Sequence, residues 1–272
     1  MRFALAIALA LVSFTSCLTR IQAQPTKPVN SPVRFIPPPP PNLSAPSGRQ
    51  RGGASRGQCP NVEKPLTALV PATQKSLDSG VTSNPALSTF ESVWGLTAAE
   101  HPTLWFYVPY SLTSKLPIEF VLQDEQNNEV YKTSFTAPQT QPGIVSLRLP
   151  STEAPLKVGK NYHWYFIINC DPDAPPVVEG WVQRVALNPT LVSQLQKATP
   201  RQRAAVYARE GIWHDALTTL AEQRSANLGD ATLSNDWVSL LQSVRLEAIA
   251  TEPIVECCTP QSQFPTSTNG AQ

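Results

Sequence analysis

The chain has 272 residues, of which only 15% are charged and 28 are proline, and its formal net charge is +1. This length allows one large domain or a medium domain with an appendage, and the composition favours a loop-rich β-protein over a helical bundle. Residues 24–58 carry five basic side chains and no acid, whereas residues 59–272 carry 14 basic and 20 acidic side chains, a net of −6. The folded part therefore lacks the basic face of a nucleic-acid-binding domain, and that class of function is excluded.

An apolar leader opens the chain. Phe3–Phe14 is almost entirely apolar and follows a positive residue, Arg2. At about twelve residues this run is too short to span a bilayer, which takes roughly 20 residues. It predicts a signal peptide over residues 1–23, cleaved after Ala23, and therefore a periplasmic or extracellular protein with no membrane span after cleavage. The alternative is lipid attachment at Cys17, which follows two small residues.

A basic tether is predicted over residues 24–58. Residues 24–47 contain nine prolines, a composition that favours an extended polyproline II spacer over a ligand for an aromatic groove. Residues 48–57 contain four glycines and three arginines. A solvated linker is the favoured interpretation of this stretch, and the alternative is a flexible loop that binds anionic cell wall or polysaccharide through its backbone amides and arginines. The arginines concerned are Arg49, Arg51 and Arg56.

Strand-like sequence follows, over residues 59–187. Apolar and polar residues alternate over Ile118–Gln123, Asn127 and Asn128 then mark a turn, and Val130–Phe135 returns as a hairpin partner. We predict an antiparallel β-sandwich of the immunoglobulin-like or fibronectin-like type, packed against a small helical subdomain.

The stretch Leu156-x-x-Gly159-x-x-Tyr162 supports the sandwich, because it resembles a tyrosine corner, in which a tyrosine hydroxyl ties a loop to a strand. Alternate residues after it form one apolar stripe, which predicts a core strand. These residues are Tyr162, Trp164, Phe166, Ile168 and Cys170.

The segment Leu104–Val108 is apolar on both faces. A strand of this kind needs cover on its second face. We expect the C-terminal helices to provide that cover, and the alternative is an exposed aromatic platform for glycans.

A helical subdomain is predicted over residues 188–250. Asn188 and Thr199 each precede a proline, the arrangement of an N-cap followed by proline at the first helical position. A third helix carries the apolar stripe that begins at Trp213, and a fourth is predicted to start behind Ser234. Residues 251–272 are predicted to form a disordered tail.

Four stretches together resemble the cyanobacterial domain-of-unknown-function-928 family, over roughly residues 48–249. The resemblance implies an exported bacterial protein and carries over no catalytic residue or activity. The stretches are Arg-Gly-Gly-Ala-Ser-Arg-Gly-x-Cys-Pro (51–60), Trp-Phe-Tyr-Val-Pro (105–109), Tyr162-x-Trp164 leading to Cys170, and Gly211-x-Trp213-x-Asp215-Ala216-Leu217. The last of them also resembles half of a tetratricopeptide hairpin, but a single unit predicts only a docked helical pair.

A disulfide bond is predicted between Cys59 and Cys170. Removal of the leader leaves four cysteines. The adjacent Cys257 and Cys258 rarely pair with each other, because the ring is strained. They are expected either to stay free or to link chains, which leaves the first two to bond.

Candidate catalytic groups are sparse. The histidines at 101, 163 and 214 have no metal-binding spacing, and we predict no cofactor or metal. The crowded acids Asp171, Asp173 and Glu179 could bind calcium, but the surrounding prolines favour a rigid acidic turn.

Two functions remain open. The favoured hypothesis is a non-catalytic binding or protein-interaction module of the bacterial cell envelope, whose partner is an envelope protein or a polysaccharide. The alternative is an envelope hydrolase acting on glycan or peptide, with Asp171, Asp173, His163 and Glu179 as its nearest candidates. The predicted binding site is the junction beside the disulfide, where the basic segment meets the acidic turn. Its candidate residues are Arg49, Arg51, Arg56, Asp171 and Asp173.

Overall fold

The computed structural model describes residues 31–39, 47–53, 58–76, 89–136 and 140–257. The predicted signal peptide, Arg56, Cys258 and the tail beyond it lie outside the described residues. All described residues except Ser31 belong to one unit, Pro32–Gln272.

A strand-rich region is followed by four helices. The helices are α1 (Pro189–Lys197), α2 (Pro200–Arg209), α3 (Trp213–Ala226) and α4 (Ala231–Gln242), and a short 3-10 helix follows over Glu247–Ile249. The strands described are β1 (Thr67–Ala68), β2 (Ala72–Ser76), β3 (Thr89–Thr97), β4 (Thr103–Val108), β5 (Ile118–Gln123), β6 (Glu129–Phe135), β7 (Gly143–Arg148), β8 (Asn161–Ile168) and β9 (Val177–Arg184).

The strands form two sheets. One has three strands in the order β1-β4-β7, and the other has six in the order β2-β3-β9-β8-β5-β6. Neighbouring strands are antiparallel except β3 and β9, which are parallel. The predicted β5–β6 hairpin is confirmed. Its turn depends on Asn127, which has a φ of 63°, and on Asp124, whose carboxylate accepts hydrogen bonds from two turn amides.

The two sheets face each other across a shared cluster of buried side chains. Phe106 of β4 stacks on Phe166 of β8 with ring centroids 4.0 Å apart. Phe106 also meets Trp164 edge-on. The predicted apolar stripe is therefore confirmed in this core from Tyr162 to Ile168, whereas Cys170 lies beyond the end of β8 and is half-buried.

The helices cover the second face of β4, as the sequence predicts. The Trp105 indole N–H donates to the Thr218 hydroxyl of α3 over 2.9 Å. Tyr107 and Ile144 pack with the apolar residues of α3 and α4 in a second cluster. The molecule therefore has three layers here, with the three-stranded sheet between the helices and the six-stranded sheet.

The predicted helix starts are confirmed for α1 and α2. The Asn188 side chain caps α1, and Thr199 and Gln202 cap each other's backbone at the start of α2. The predicted start of α4 behind Ser234 is wrong. Asp230 is the N-cap, because its carboxylate accepts from the amides of Thr232 and Leu233, which adds one turn before Ser234.

Described parts of the predicted tether and tail lie against the fold. The Val33 amide donates to the Asp236 carboxylate of α4, and Phe35 meets the Trp213 ring edge-on at 5.0 Å. At the other end, Ile254 forms a parallel bridge with Ile144 of β7. Both segments bury apolar side chains in the helical cluster, which favours this docking over extension into solvent.

Candidate functional site

The predicted disulfide between Cys59 and Cys170 is present, with the two Cα atoms 5.1 Å apart. It closes a sequence separation of 111 residues. Cys257 is also disulfide-bonded. The predicted alternative of a free thiol at this position is therefore wrong.

The carboxylate of Asp171, next to the disulfide, accepts hydrogen bonds from the surrounding backbone amides. One carboxylate oxygen accepts from the Gln58 amide over 2.9 Å, and the other accepts from the Asp173 and Ala174 amides. These hydrogen bonds, that from Gln58 foremost, hold the pKa of Asp171 below its usual range. Asp171 thereby fastens the segment before Cys59 to the turn. Because the residue is only 4% exposed, its carboxylate offers little to a ligand.

The calcium interpretation of this turn gains no support from the described residues. Within them, no group of three or more His, Cys, Asp or Glu side chains could hold a metal ion.

The Arg/Gly stretch is a structured strap between the two sheets over its described residues 47–53. Arg49 exchanges two backbone hydrogen bonds with Glu179 of β9, at 2.9 and 3.0 Å. Arg51 then bridges to Thr67 of β1, in the other sheet. Gly48 is required at the crossing, because a Cβ there would lie 2.8 Å from Cβ of Val93. The flexible linker or loop predicted here is therefore wrong for these residues.

Gln50 fastens the strap from inside. Its side-chain amide donates to the Val70 carbonyl over 2.6 Å, and its own amide N–H donates to the Glu91 carboxylate over 2.9 Å. The glutamine is 5% exposed, whereas Arg49 and Arg51 on either side of it are exposed. Because side chains of an extended segment point alternately to opposite sides, the inward side chain of Gln50 leaves those of Arg49 and Arg51 directed to solvent.

A cluster of polar and aromatic side chains lies on the outer face of the six-stranded sheet. His163 and Tyr165 of β8 are in register with Trp181 and Glu179 of β9. Side chains alternate between the faces of a strand, so these four point away from the core that Trp164 occupies. We call His163, Tyr165, Glu179 and Trp181 the outer-face cluster.

The cluster is held together by short contacts. The rings of His163 and Trp181 are stacked, with centroids 4.3 Å apart and planes 9° apart. The Tyr165 hydroxyl lies 2.8 Å from Nδ1 of His163. Nε2 of the same histidine lies 3.3 Å from the Glu179 carboxylate. The Trp181 indole N–H donates to the Ser47 carbonyl over 3.0 Å, which ties the strap to the cluster.

Hydrogen bonding, burial and charge shift two pKa values in the cluster. His163 beside it lowers the pKa of Glu179, and the Arg49 charge adds to that effect. Burial, followed by the Glu179 charge, raises the pKa of Tyr165. Near neutral pH the cluster therefore presents a carboxylate and a neutral phenol beside an exposed guanidinium, on rings whose positions are fixed.

Sequence reasoning placed His163 on the face opposite the core stripe, and that is confirmed by the register. It missed Trp181 and Trp94. Trp94 of β3 is the register partner of Trp181 and extends the aromatic row across a third strand. A period-two pattern signals which residues share a strand face, but it does not tell which strands become neighbours.

The motif at the start of α3 fixes this helix to both sheets. The Trp213 indole N–H donates to the Leu69 carbonyl over 2.7 Å. The Asp215 carboxylate accepts from the Thr97 hydroxyl at 2.8 Å and the Ala98 amide at 2.9 Å, at the end of β3. His214, between them, is 2% exposed, a burial that sequence reasoning did not foresee.

The comparisons with known proteins identify one family. A family model described as Domain of Unknown Function (DUF928) matches residues 51–254. No curated protein and no solved structure matches the chain. Among the described residues, no helix is both long enough and apolar enough to cross a membrane.

Proposed function

The chain belongs to the DUF928 family, and on that premise we propose that it is an exported, non-catalytic binding or protein-interaction module of the bacterial cell envelope. The outer-face cluster is the observation that carries the proposal. It sets aromatic rings, a carboxylate and a phenol on one rigid sheet face, with Arg49 beside them.

The composition of the cluster is that of a recognition surface. Tyr, Trp and Arg are the side chains most enriched where proteins bind partners, because they supply large contact areas together with hydrogen bonds. The side chains of His163 and Glu179 are 12% and 26% exposed, so they are held in place yet reachable. A polysaccharide or an envelope protein would find stacking edges and both kinds of hydrogen-bonding group here.

Export is part of the proposal. The leader over residues 1–23 and the Cys59–Cys170 bond both support it, because disulfides form and persist in oxidising compartments. Lipid attachment at Cys17 stays the alternative to cleavage after Ala23.

An immunoglobulin-like or fibronectin-like sandwich is the proposed fold type. The Tyr162 hydroxyl supports it, because it accepts a hydrogen bond from the Lys157 amide five residues upstream, over 3.0 Å, the contact that defines a tyrosine corner.

An envelope hydrolase is the second candidate. The approach of His163 to Glu179, at 3.3 Å, favours it, since a histidine oriented by a carboxylate is a common general base. Both oxygens of Asp171 accept backbone hydrogen bonds, however, and this group is not placed to act on a substrate. The binding module is therefore the better supported proposal.

The test is retention of the purified protein on cell-wall, polysaccharide and envelope-protein fractions. We expect one fraction to retain the wild type, and Trp181→Ala or Glu179→Gln to weaken that retention. Val192→Ala is the matched control, because this residue is 37% exposed on α1. Thermal unfolding would establish that each variant is folded.

Two results would overturn the proposal. One is failure of every fraction to retain the wild type, and the other is equal retention of all four proteins. Release of soluble fragments from a fraction, lost in His163→Ala, would favour the hydrolase instead.

A further inference from the structure

The edge strand β7 is paired with β4 on one side and with a short C-terminal segment on the other. On that second side the Ile144 amide donates to the Pro253 carbonyl over 2.7 Å, and the Ile144 carbonyl accepts from the Val255 amide over 2.9 Å. A segment of this chain therefore already lies on the edge as a parallel strand partner. The edge is able to hold an extended chain by main-chain hydrogen bonds.

Two residues further along β7, at Ser146, this edge is open. In an antiparallel ladder, residues alternate between bonding to the partner strand and directing their N–H and C=O away from it. Ile144 directs both groups away from β4, so Ser146 does so as well. The carbonyl of Trp105, the register partner of Ser146, accordingly accepts from the Leu69 amide instead. Among the described residues, none forms a backbone hydrogen bond to these outward groups of Ser146. An unpaired strand edge is a template for a further chain.

A groove of about 990 Å³ lies beside this edge, and we call it the β7 groove. Trp105 and Ser146 line it from the sheet, and the end of α3 and the loop before α4 line it from the helices. Residues 253–257 line it as well. Pockets that bind drug-sized ligands measure about 300–1,000 Å³. The β7 groove therefore has room for side chains of a peptide bound at the strand edge.

Arg224 of α3 gives the β7 groove a preference for negative charge. Its guanidinium lies over the Trp237 ring, 5.3 Å from the ring centroid, and the residue is half-buried. Burial lowers the pKa of Arg224. Within the part of the chain that the structure describes, no carboxylate forms an ion pair with this guanidinium. A cation that is partly removed from water and left unpaired is stabilised by an incoming carboxylate, through charge-assisted hydrogen bonds.

Two acids also line the groove, but they do not remove this preference. Glu222 and Glu256 are both exposed, so water and dissolved salt screen their charges. A ligand carboxylate in direct contact with the half-buried guanidinium is screened much less. The direct attraction therefore outweighs the repulsion from the two exposed acids.

We propose that the β7 groove binds an extended acidic peptide of a partner protein, which adds to β7 at Ser146 as a further strand and places a carboxylate on Arg224. In this mode of recognition main-chain hydrogen bonds supply affinity, and side-chain pockets supply specificity. The β7 groove is separate from the outer-face cluster, which lies on the six-stranded sheet. The proposal therefore stands whether or not that cluster binds a partner.

The test measures retention of fluorescein-labelled peptide libraries on the immobilised full chain. One library of nonapeptides has aspartate fixed at the centre and threonine, serine, valine or glutamine elsewhere, and the matched library has asparagine at the centre. We expect the wild type to retain the aspartate library roughly tenfold better, a gain typical of hydrogen bonds to charged groups. Methylation of alternate backbone amides should abolish this retention, because it removes the donors that would pair with β7.

Two variants act on the two parts of the proposed contact. Arg224→Gln should remove the preference for aspartate, and Arg209→Gln is its matched control, because Arg209 is exposed on α2 and does not line the groove. Ser146→Pro should abolish retention of both libraries, since it removes the outward N–H without taking a hydrogen bond from the β4–β7 ladder. Thermal unfolding establishes which variants are folded, and either one decides the question if the other does not fold.

Equal retention of the aspartate and asparagine libraries by the wild type would overturn the proposal, and so would retention that survives amide methylation. Loss of retention in Trp181→Ala but not in Arg224→Gln would place the peptide at the outer-face cluster and overturn it too. Failure of the wild type to retain either library would have the same consequence. If such a protein formed dimers that Ser146→Pro abolished, a second copy of the chain would be the occupant of the groove instead.

Discussion

Acidification should destabilise this protein through His214, and the size of the effect follows from its burial. The pKa of this histidine is about 3 in the folded chain and about 6.5 when unfolded. Above the unfolded value both states are neutral and the group has no effect. Below it only the unfolded state takes up the proton, so the free energy of unfolding falls by about 1.36 kcal/mol per pH unit. Between about pH 6.5 and about pH 4.5 the loss is roughly 2 kcal/mol.

Neighbouring ionisable groups alter the total pH dependence of the free energy of unfolding. They do not alter the difference between the wild type and His214→Gln. Burial raises the pKa of Asp215, so the folded state takes up that proton first and gains stability as pH falls. The lowered pKa values of Asp171 and Glu179 act in the opposite direction, toward loss of stability in acid. All three groups are retained in His214→Gln, so the difference between the two pH profiles isolates the histidine.

The assay is urea unfolding followed by tryptophan fluorescence at several pH values. We expect the wild type to lose roughly 2 kcal/mol more than His214→Gln over those two pH units. Parallel profiles would refute the reasoning, because they would mean that the imidazole is protonated as easily in the folded chain as in the unfolded one. Direct titration of the ring signals in the wild type gives the same answer if the variant does not fold.

Three substitutions test the packing by urea unfolding. Cys59→Ser should lower the free energy of unfolding by about 4–5 kcal/mol on the chain-entropy model, and unchanged stability would contradict a structural role for the bond. Gly180→Ala should cost about 1–3 kcal/mol, because its Cβ would lie 2.5 Å from the Trp164 ring; a neutral result would show that the Trp164 ring moves aside easily. Asp236→Ala should cost about 3 kcal/mol, since the carboxylate is 1% exposed and pairs with Arg201, and a change below about 0.5 kcal/mol would argue against the pair.

Local patterns predicted much of the fold. The alternation in Ile118–Gln123 and the asparagines after it specify a hairpin within about 20 residues of chain. The caps Asn188 and Thr199 each accept from the amide three positions away. The two apolar faces of Leu104–Val108 indicated a strand that needs cover on its second face, and the apolar stripes of the predicted helices could supply it.

Contacts between distant residues were not predictable in the same way. The strap pairs Arg49 with Glu179, 130 residues later, and a stretch rich in glycine and arginine looks like a linker until its partner strands are known. The burial of His214 was hidden for a related reason. A helical residue next to an aspartate is usually solvated, and only the absence of a side chain at Gly95 makes room for the ring.

The candidate site was partly foreseen. The outward direction of His163 follows from the core stripe on its own strand. Its neighbours Glu179 and Trp181 come from the register of β9, which no local signal specifies. The junction beside the disulfide attracted attention for its charges, yet the Asp171 carboxylate there accepts a hydrogen bond from the Gln58 amide in the segment before Cys59.

Binding through the outer face can be tested most directly by photo-crosslinking in the intact envelope. A benzoylphenylalanine placed at Gln123 would lie beside His163 in register and leave the cluster unchanged; the same residue at Val192 is the control. We predict an adduct with an envelope component from position 123 and none from position 192, and loss of the adduct when Trp181→Ala is added. Equal adducts from both positions, or none from position 123, would contradict the proposed binding surface.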